Sequence, residues 1–248
     1  ASDVYKRQPQ EYIEAHGVTV LPLGYTIAGE TYGGIEGKQL PPKEFYRLLR
    51  EGNVCHTFQV TAEQAKPSVE ASFKAGRDVV IVTFSSALSG TASSFTIAAN
   101  ELMEKYPARK AFIVDSLGGS LGEGMLLEYL VKKADAGASI EEVYAYGDWL
   151  RHRIAYLFTV DDLDCLRRGG RISGAVAVVG KLLKIKPLLH ANPKGLLMPI
   201  AKIVGRKRSL EALADEAAKR SDLSPEDPIY ISHGDCEEDA VKLAALMK

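Results

Sequence analysis

The stretch Asp78-Val79-Val80-Ile81-Val82-Thr83-Phe84-Ser85-Ser86-Ala87-Leu88-Ser89-Gly90-Thr91 sets the fold class. Its first seven residues are nearly all apolar or β-branched, as in a strand covered on both faces by helices. A turn crowded with hydroxyls follows, and from Thr91 to Lys105 the pattern is helical. Strand, turn and helix in that order form the unit from which parallel sheets are built, because a parallel crossover needs an intervening element.

Working outward, apolar runs at Val18 to Leu23, Lys110 to Asp115, Ile154 to Val160, Leu196 to Ile203 and Ile229 to Ser232 read as further strands. Helical patterns cover Pro42 to Glu51, Ala62 to Ala75, Gly122 to Ala136, Ile140 to Arg153, Ser209 to Arg220 and Glu237 to Lys248. The alternation predicts an α/β protein with a largely parallel sheet in its first half. The length of 248 residues suits two domains of ordinary size. With no Pro/Ser-rich linker, the best cut falls where a long helix gives way to a strand, giving domains 1–153 and 154–248.

Composition narrows the function classes. Hydrophobic residues at 46% and charged residues at 25% exclude a disordered or low-complexity chain. A net charge of -1 leaves no excess of cations to hold a nucleic-acid backbone or an anionic membrane, so a small molecule or a protein is the expected partner. Cys55, Cys165 and Cys236 are too few and too far apart for a disulfide framework or a zinc site. With neither a membrane-spanning run nor a secretory h-region, the expected location is the cytoplasm and no integral membrane segment is expected.

Four loops carry residues of chemical interest. The hydroxyl turn Ser85 to Thr91 lies where ligands of parallel sheets bind, outside the carboxyl end of a strand, and where the next helix offers unpaired N–H groups to an anion. Simple capping by Ser89 or Thr91 is the competing explanation. The run Asp115 to Gly124 contains G-x-S-x-G around Ser120, the nucleophile-elbow pattern of α/β-hydrolases, but two extra residues separate the strand from Gly118. Around Asp161, Asp162 and Asp164, carboxylates face Arg167, Arg168 and Arg171 across a glycine pair; the carboxylates suit a metal or a solvated helix start, and the arginines suit a carboxylate or phosphate. A second basic cluster, Lys202 with Arg206, Lys207 and Arg208, follows at a strand exit. In the fourth loop, His56 to Gln64, the Thr61 to Gln64 spacing is that of a capping box, which leaves Thr57 and Gln59 unexplained.

Taken in order, these loops resemble the DegV family of bacterial fatty-acid-binding proteins. Ser85 to Thr91 matches the family's S-S-x-L-S-G-T in full, and Leu166 to Ser173 its L-R-x-G-G-R-I-S. Thr57 and Gln59 keep two positions of its T-S-Q-P-S, with the other three changed, Asp115 and Ser116 match its D-S, and Lys186-Pro187-Leu188-Leu189 resembles its K-P-I-L segment. The resemblance implies a two-domain protein: a three-layer α/β/α first domain with a mostly parallel sheet, and a smaller mixed α/β second domain. It implies a non-catalytic carrier that encloses a long-chain fatty acid and presents it to a partner kinase, with no cofactor and no metal. Carried over by motif, Thr57, Ser89, Gly90 and Thr91 would hold the carboxylate, and Gln59, Ser86, Ser116, Gly119, Arg167 and Arg171 would line the pocket or portal. The alternative is a serine hydrolase acting through Ser120. Ala1 to Gln8 contains no apolar strand and the family's C-terminal loop is missing, so the first domain is expected to lack its first strand and the second to be truncated.

Overall fold

The computed structural model describes residues 2–3, 9–35, 37–161, 163–172, 185–220 and 227–247. Packing groups the chain into two compact units, Ala1–Leu40 with His56–Ile154, and Pro41–Cys55 with Ala155–Lys248. A single cut at 153/154 leaves Pro41–Cys55 with the first domain, whereas its contacts lie with the second. Arg50 pairs with Asp235 at 2.7 Å, and Tyr46 packs so tightly on Gly234 that a Cβ there would lie 2.9 Å from the phenol oxygen.

The first unit is built on a parallel sheet ordered β2-β1-β6-β7, from Ser2–Asp3 (β1), Val20–Leu21 (β2), Val79–Thr83 (β6) and Ala111–Asp115 (β7). Alternation along β6 distributes the core. Val79 and Ile81 join Val69, Phe73, Phe95 and Leu102 from α3 (Ala62–Lys74) and α4 (Thr91–Lys105). Val80 and Val82 point the other way, into Leu126, Leu127, Leu130 and Val143 from α5 (Ser120–Asp135) and α6 (Ile140–Leu150). Side chains of period two, buried on both faces, are what made the strand read as a continuous apolar run. Helix α3 opens with the expected box: Thr61 Oγ1 accepts from the Gln64 N–H at 3.3 Å, and Gln64 Oε1 accepts from the Thr61 N–H at 3.0 Å.

Two features of this unit depart from the sequence reading. Ser2–Asp3 forms the first strand, pairing Ser2 with Val20 on one side and Val82 on the other, so the expected loss of that strand is corrected. Two polar residues give no periodic signal, and only the neighbouring strands hold them extended. A second, antiparallel sheet ordered β4-β3-β5 is also present, from Gly24–Ile27 (β3), Glu30–Gly33 (β4) and His56–Phe58 (β5). Its hairpin turns through Ala28 at φ 52° and Gly29 at φ 80°, two positive values in a row, as tight hairpins require. The pair Ala-Gly is a weak turn signal, because alanine tolerates such a φ poorly.

The second unit is a mixed α/β layer pair. An antiparallel sheet ordered β10-β9-β8, from Leu157–Thr159 (β8), Ile185–Ala191 (β9) and Leu197–Val204 (β10), carries α8 (Arg206–Arg220), against which α9 (Glu237–Leu246) packs. Leu188 faces those helices beside Leu213 and Leu243, while Leu189 enters a separate cluster with Leu163 and Ile172. Strand β9 escaped the sequence reading because Pro187 interrupts it. The proline is tolerated since it pairs only with β10, at Lys202, in a part of β9 that β8 does not reach. The stretch Ile229 to Ser232, read as a strand, is not one. With α1 (Gln10–Ala15), α2 (Pro42–Arg50) and the short α7 (Asp164–Arg168), these elements complete the described residues.

Candidate functional site

Strands β6 and β7 end in register, Thr83 opposite Asp115, so the loops that follow leave the sheet side by side at its carboxyl edge. Backbone bonds stitch them together. The Ser116 N–H donates to the Thr83 carbonyl at 3.0 Å, and the Ser85 N–H to the Gly118 carbonyl at 2.8 Å. Asp115 adds a side-chain link: its Oδ1 accepts from the Ser86 N–H at 3.2 Å and from the Leu117 N–H at 3.0 Å, and its Oδ2 from the Ser86 hydroxyl at 2.5 Å.

On this frame the expected hydroxyls divide into two groups. Ser89 Oγ and Thr91 Oγ1 lie 3.0 Å apart at the start of α4, and the Thr91 N–H donates to Ser89 Oγ at 3.3 Å. Thr91 is fully buried and Ser89 half-buried. A hydroxyl pair beside the unpaired N–H groups of a helix start supplies neutral donors to an anion without a buried cation. Ser86 and Ser116, by contrast, are engaged within the loops. Ser86 is exposed and bonded to Asp115, and buried Ser116 donates to the Gly118 carbonyl at 3.1 Å. Fully buried Thr83, at the end of β6, has a hydroxyl with no hydrogen-bond partner among the described residues; nothing in its sequence setting distinguished it from a core residue.

Two glycines permit close approaches here. A Cβ on Gly90 would lie 2.0 Å from Gln59 Oε1, so the bare backbone lets the Gln59 amide close over the α4 start, where its Nε2 donates to Ser94 Oγ at 3.1 Å. A Cβ on Gly119 would meet the Phe84 ring at 2.0 Å. Thr57, two residues before Gln59, is exposed on β5 opposite Tyr25. Gln59 of this fourth loop is tied to α4 by its bond to Ser94, and Val60 is buried in the same core as Phe95 and Ala98.

Ser120 opens α5 with φ 59°, a left-handed value costly for serine and reminiscent of an elbow nucleophile. Yet β7 ends at Asp115, and Ser116 and Leu117 intervene before Gly118.

In the second unit Arg167 and Arg168 are exposed on α7, and Arg167 pairs with Asp164 at 3.4 Å. Arg171 bends back to donate to the Gly169 carbonyl across the glycine turn. Asp161 is matched by Lys186 at 2.9 Å. Asp162, Ser173 and Gly174 lie outside the described residues, and among those described no three acidic, histidine or cysteine side chains gather to hold a metal. In the second basic cluster Arg206 is bonded to Asp239 at 2.7 Å, which holds that carboxyl below its usual range, while Lys202, Lys207 and Arg208 face solvent.

A three-layer parallel unit with hydroxyls and a helix start at its strand ends, followed by a mixed α/β unit, defines a two-domain α/β protein. The family profile described as "Uncharacterised protein, DegV family" matches residues 3–248, and the chain belongs to the DegV family. Among its relatives, the DegV domain-containing protein CPE0026 of Clostridium perfringens is 40% identical over 240 residues, covering 97% of this chain and 82% of its own. Among solved structures, a DegV family protein from Ruminococcus gnavus, refined with vaccenic acid, superposes with a TM-score of 0.87 at 25% identity, covering 99% of this chain and 86% of that one. A DegV family protein from Thermus thermophilus, described for its fatty-acid binding, gives a TM-score of 0.77 at 31% identity over 88% of this chain and 76% of that one.

Proposed function

We propose that this protein binds a long-chain fatty acid with its acyl chain buried, holds the carboxylate with Thr57, Ser89, Gly90 and Thr91, and presents it to a partner kinase in the cytoplasm. The observation that carries the reading is the Ser89–Thr91 hydroxyl pair at the start of α4, 3.0 Å apart and backed by the helix N–H groups. The Ruminococcus and Thermus relatives, which carry or bind fatty acids, support the ligand class. Burying a chain of some 14 to 18 carbons supplies the affinity, at about 0.8 kcal/mol per methylene, and the hydroxyls select the acid headgroup. Gln59 and Gly119 shape the site rather than contact the headgroup, and exposed Arg167 and half-buried Arg171 offer guanidinium groups for docking the kinase or its phosphates. No helix among the described residues is long and apolar enough to cross a membrane.

Native mass spectrometry of the purified protein, followed by denaturing extraction, tests the proposal. A stoichiometric fatty acid, or its uptake on addition, is the expected result. A protein that carries none and takes up none rules the reading out.

A further inference from the structure

The Asp115 carboxylate stands at the lip of a site read as binding a carboxylate, where a second negative charge opposes the ligand unless it has another task. Its hydrogen bonds show that task. Asp115 accepts from the Ser86 N–H at 3.2 Å, the Ser86 hydroxyl at 2.5 Å and the Leu117 N–H at 3.0 Å, spanning the loop after β6 and the loop after β7. These donors satisfy the carboxylate and are themselves withdrawn from any ligand. They also fix the turn Ser86–Ala87–Leu88, whose last N–H bonds back to the Ser85 carbonyl at 3.0 Å and which runs directly into Ser89. From below, Arg151 reaches the Asp115 carbonyl at 3.4 Å and steadies the end of β7.

We propose that Asp115 is a positioning residue for the anion site: by binding Ser86 and Leu117 it holds the hydroxyl turn so that the Ser86 hydroxyl is turned away and those of Ser89 and Thr91 are presented to the ligand headgroup. The inference rests on the fatty-acid reading above. It makes Asp115 a determinant of headgroup affinity without contact to the ligand, and it reassigns Ser86 from pocket lining to loop bracket. A charged bracket suits the task because hydrogen bonds to an ionised acceptor are stronger than neutral ones, and two acceptor oxygens can hold a donor pair from one residue.

The test compares oleic acid with methyl oleate as probes on the full chain, in wild type, Asp115→Asn, Asp115→Ala and Ser86→Ala. Asp115→Asn keeps an oxygen for the two N–H donors and loses the ionised acceptor for the hydroxyl, so it separates bracket from scaffold should Asp115→Ala fold poorly. Expected is a loss of oleic acid affinity of roughly tenfold or more for Asp115→Ala, with Asp115→Asn intermediate, while methyl oleate affinity changes by less than about twofold. Adding Ser86→Ala to Asp115→Asn should weaken binding less than the product of the two single effects, since both break one link. Equal weakening of acid and ester would make Asp115 a general scaffold residue and overturn the proposal, as would unchanged oleic acid affinity in Asp115→Ala. Wild type that binds neither probe refutes the fatty-acid reading itself and this proposal with it, a result distinct from the variant-specific ones.

Discussion

Replacing Gly90 by alanine tests the contact that joins β5 to the start of α4. The new methyl would stand 2.0 Å from Gln59 Oε1 and 2.8 Å from its Cδ and Nε2, too close for any of the three to stay. The obstacle is the end of a flexible side chain, so Gln59 swings away and its 3.1 Å bond to Ser94 is lost. Losing one neutral, partly buried hydrogen bond costs about 0.5–1.5 kcal/mol. Gly90 precedes the first residue of α4 with an ordinary φ of -78°, so alanine adds no backbone strain, but it is a poorer helix cap than glycine. The stiffer unfolded chain offsets about 0.4–1 kcal/mol of this. With about 1 kcal/mol for the poorer cap, the expected net destabilisation is about 0.5–2 kcal/mol, read from urea denaturation midpoints. Combining Gly90→Ala with Gln59→Ala removes the clash, so the double variant should be little less stable than Gln59→Ala alone, a coupling typical of residues in contact. Strict additivity of the two changes, or a Gly90→Ala protein as stable as wild type, would refute the packing of Gln59 over this helix start.

Thr57→Ala and Ser89→Ala should each weaken a fluorescent fatty acid by about 1.5–3 kcal/mol, and the double variant by less than the sum, because the two share one ligand group; full affinity in either single variant would remove that residue from the site. Gly119→Ala should destabilise by about 1–3 kcal/mol, since its Cβ meets the Phe84 ring at 2.0 Å, and thermal unfolding of Gly119→Ala beside Phe84→Ala/Gly119→Ala shows whether the ring is the obstacle. Glu70, hydrogen-bonded first to Lys105 and then to Tyr106 and Lys74, has its carboxyl pulled down to about 2. A depressed carboxyl stabilises the fold above its unfolded value near 4.3, and the contribution fades as pH falls toward 2, so Glu70→Gln should flatten the acid side of the stability profile; parallel profiles for the two proteins would count against it. Arg171→Ala should impair phosphorylation of bound fatty acid by a partner kinase more than it impairs fatty-acid uptake, and equal loss of both would place Arg171 in the pocket.

The features legible along the chain are local and periodic. The run Val79–Thr83 is buried on both faces and therefore reads as a central parallel strand, and Thr61 with Gln64 announces the start of α3 through a box of two hydrogen bonds three residues apart. The hydroxyl turn before α4 and the arginine turn after β8 were legible for the same reason: their chemistry is written in consecutive residues. The features that escape such a reading depend on partners distant in the chain. Ser2 and Asp3 are strand because Val20 and Val82 flank them, and the bulk of β9 is strand in spite of Pro187 because β8 pairs only with its other end. Ser86 and Ser89 are both serines of one turn, indistinguishable by type, yet Asp115, 29 residues away in sequence, claims the first and leaves the second beside Thr91. A hydrogen bond takes whichever donor the fold brings within reach, and that distance is set by the register of β6 against β7 rather than by spacing along the chain.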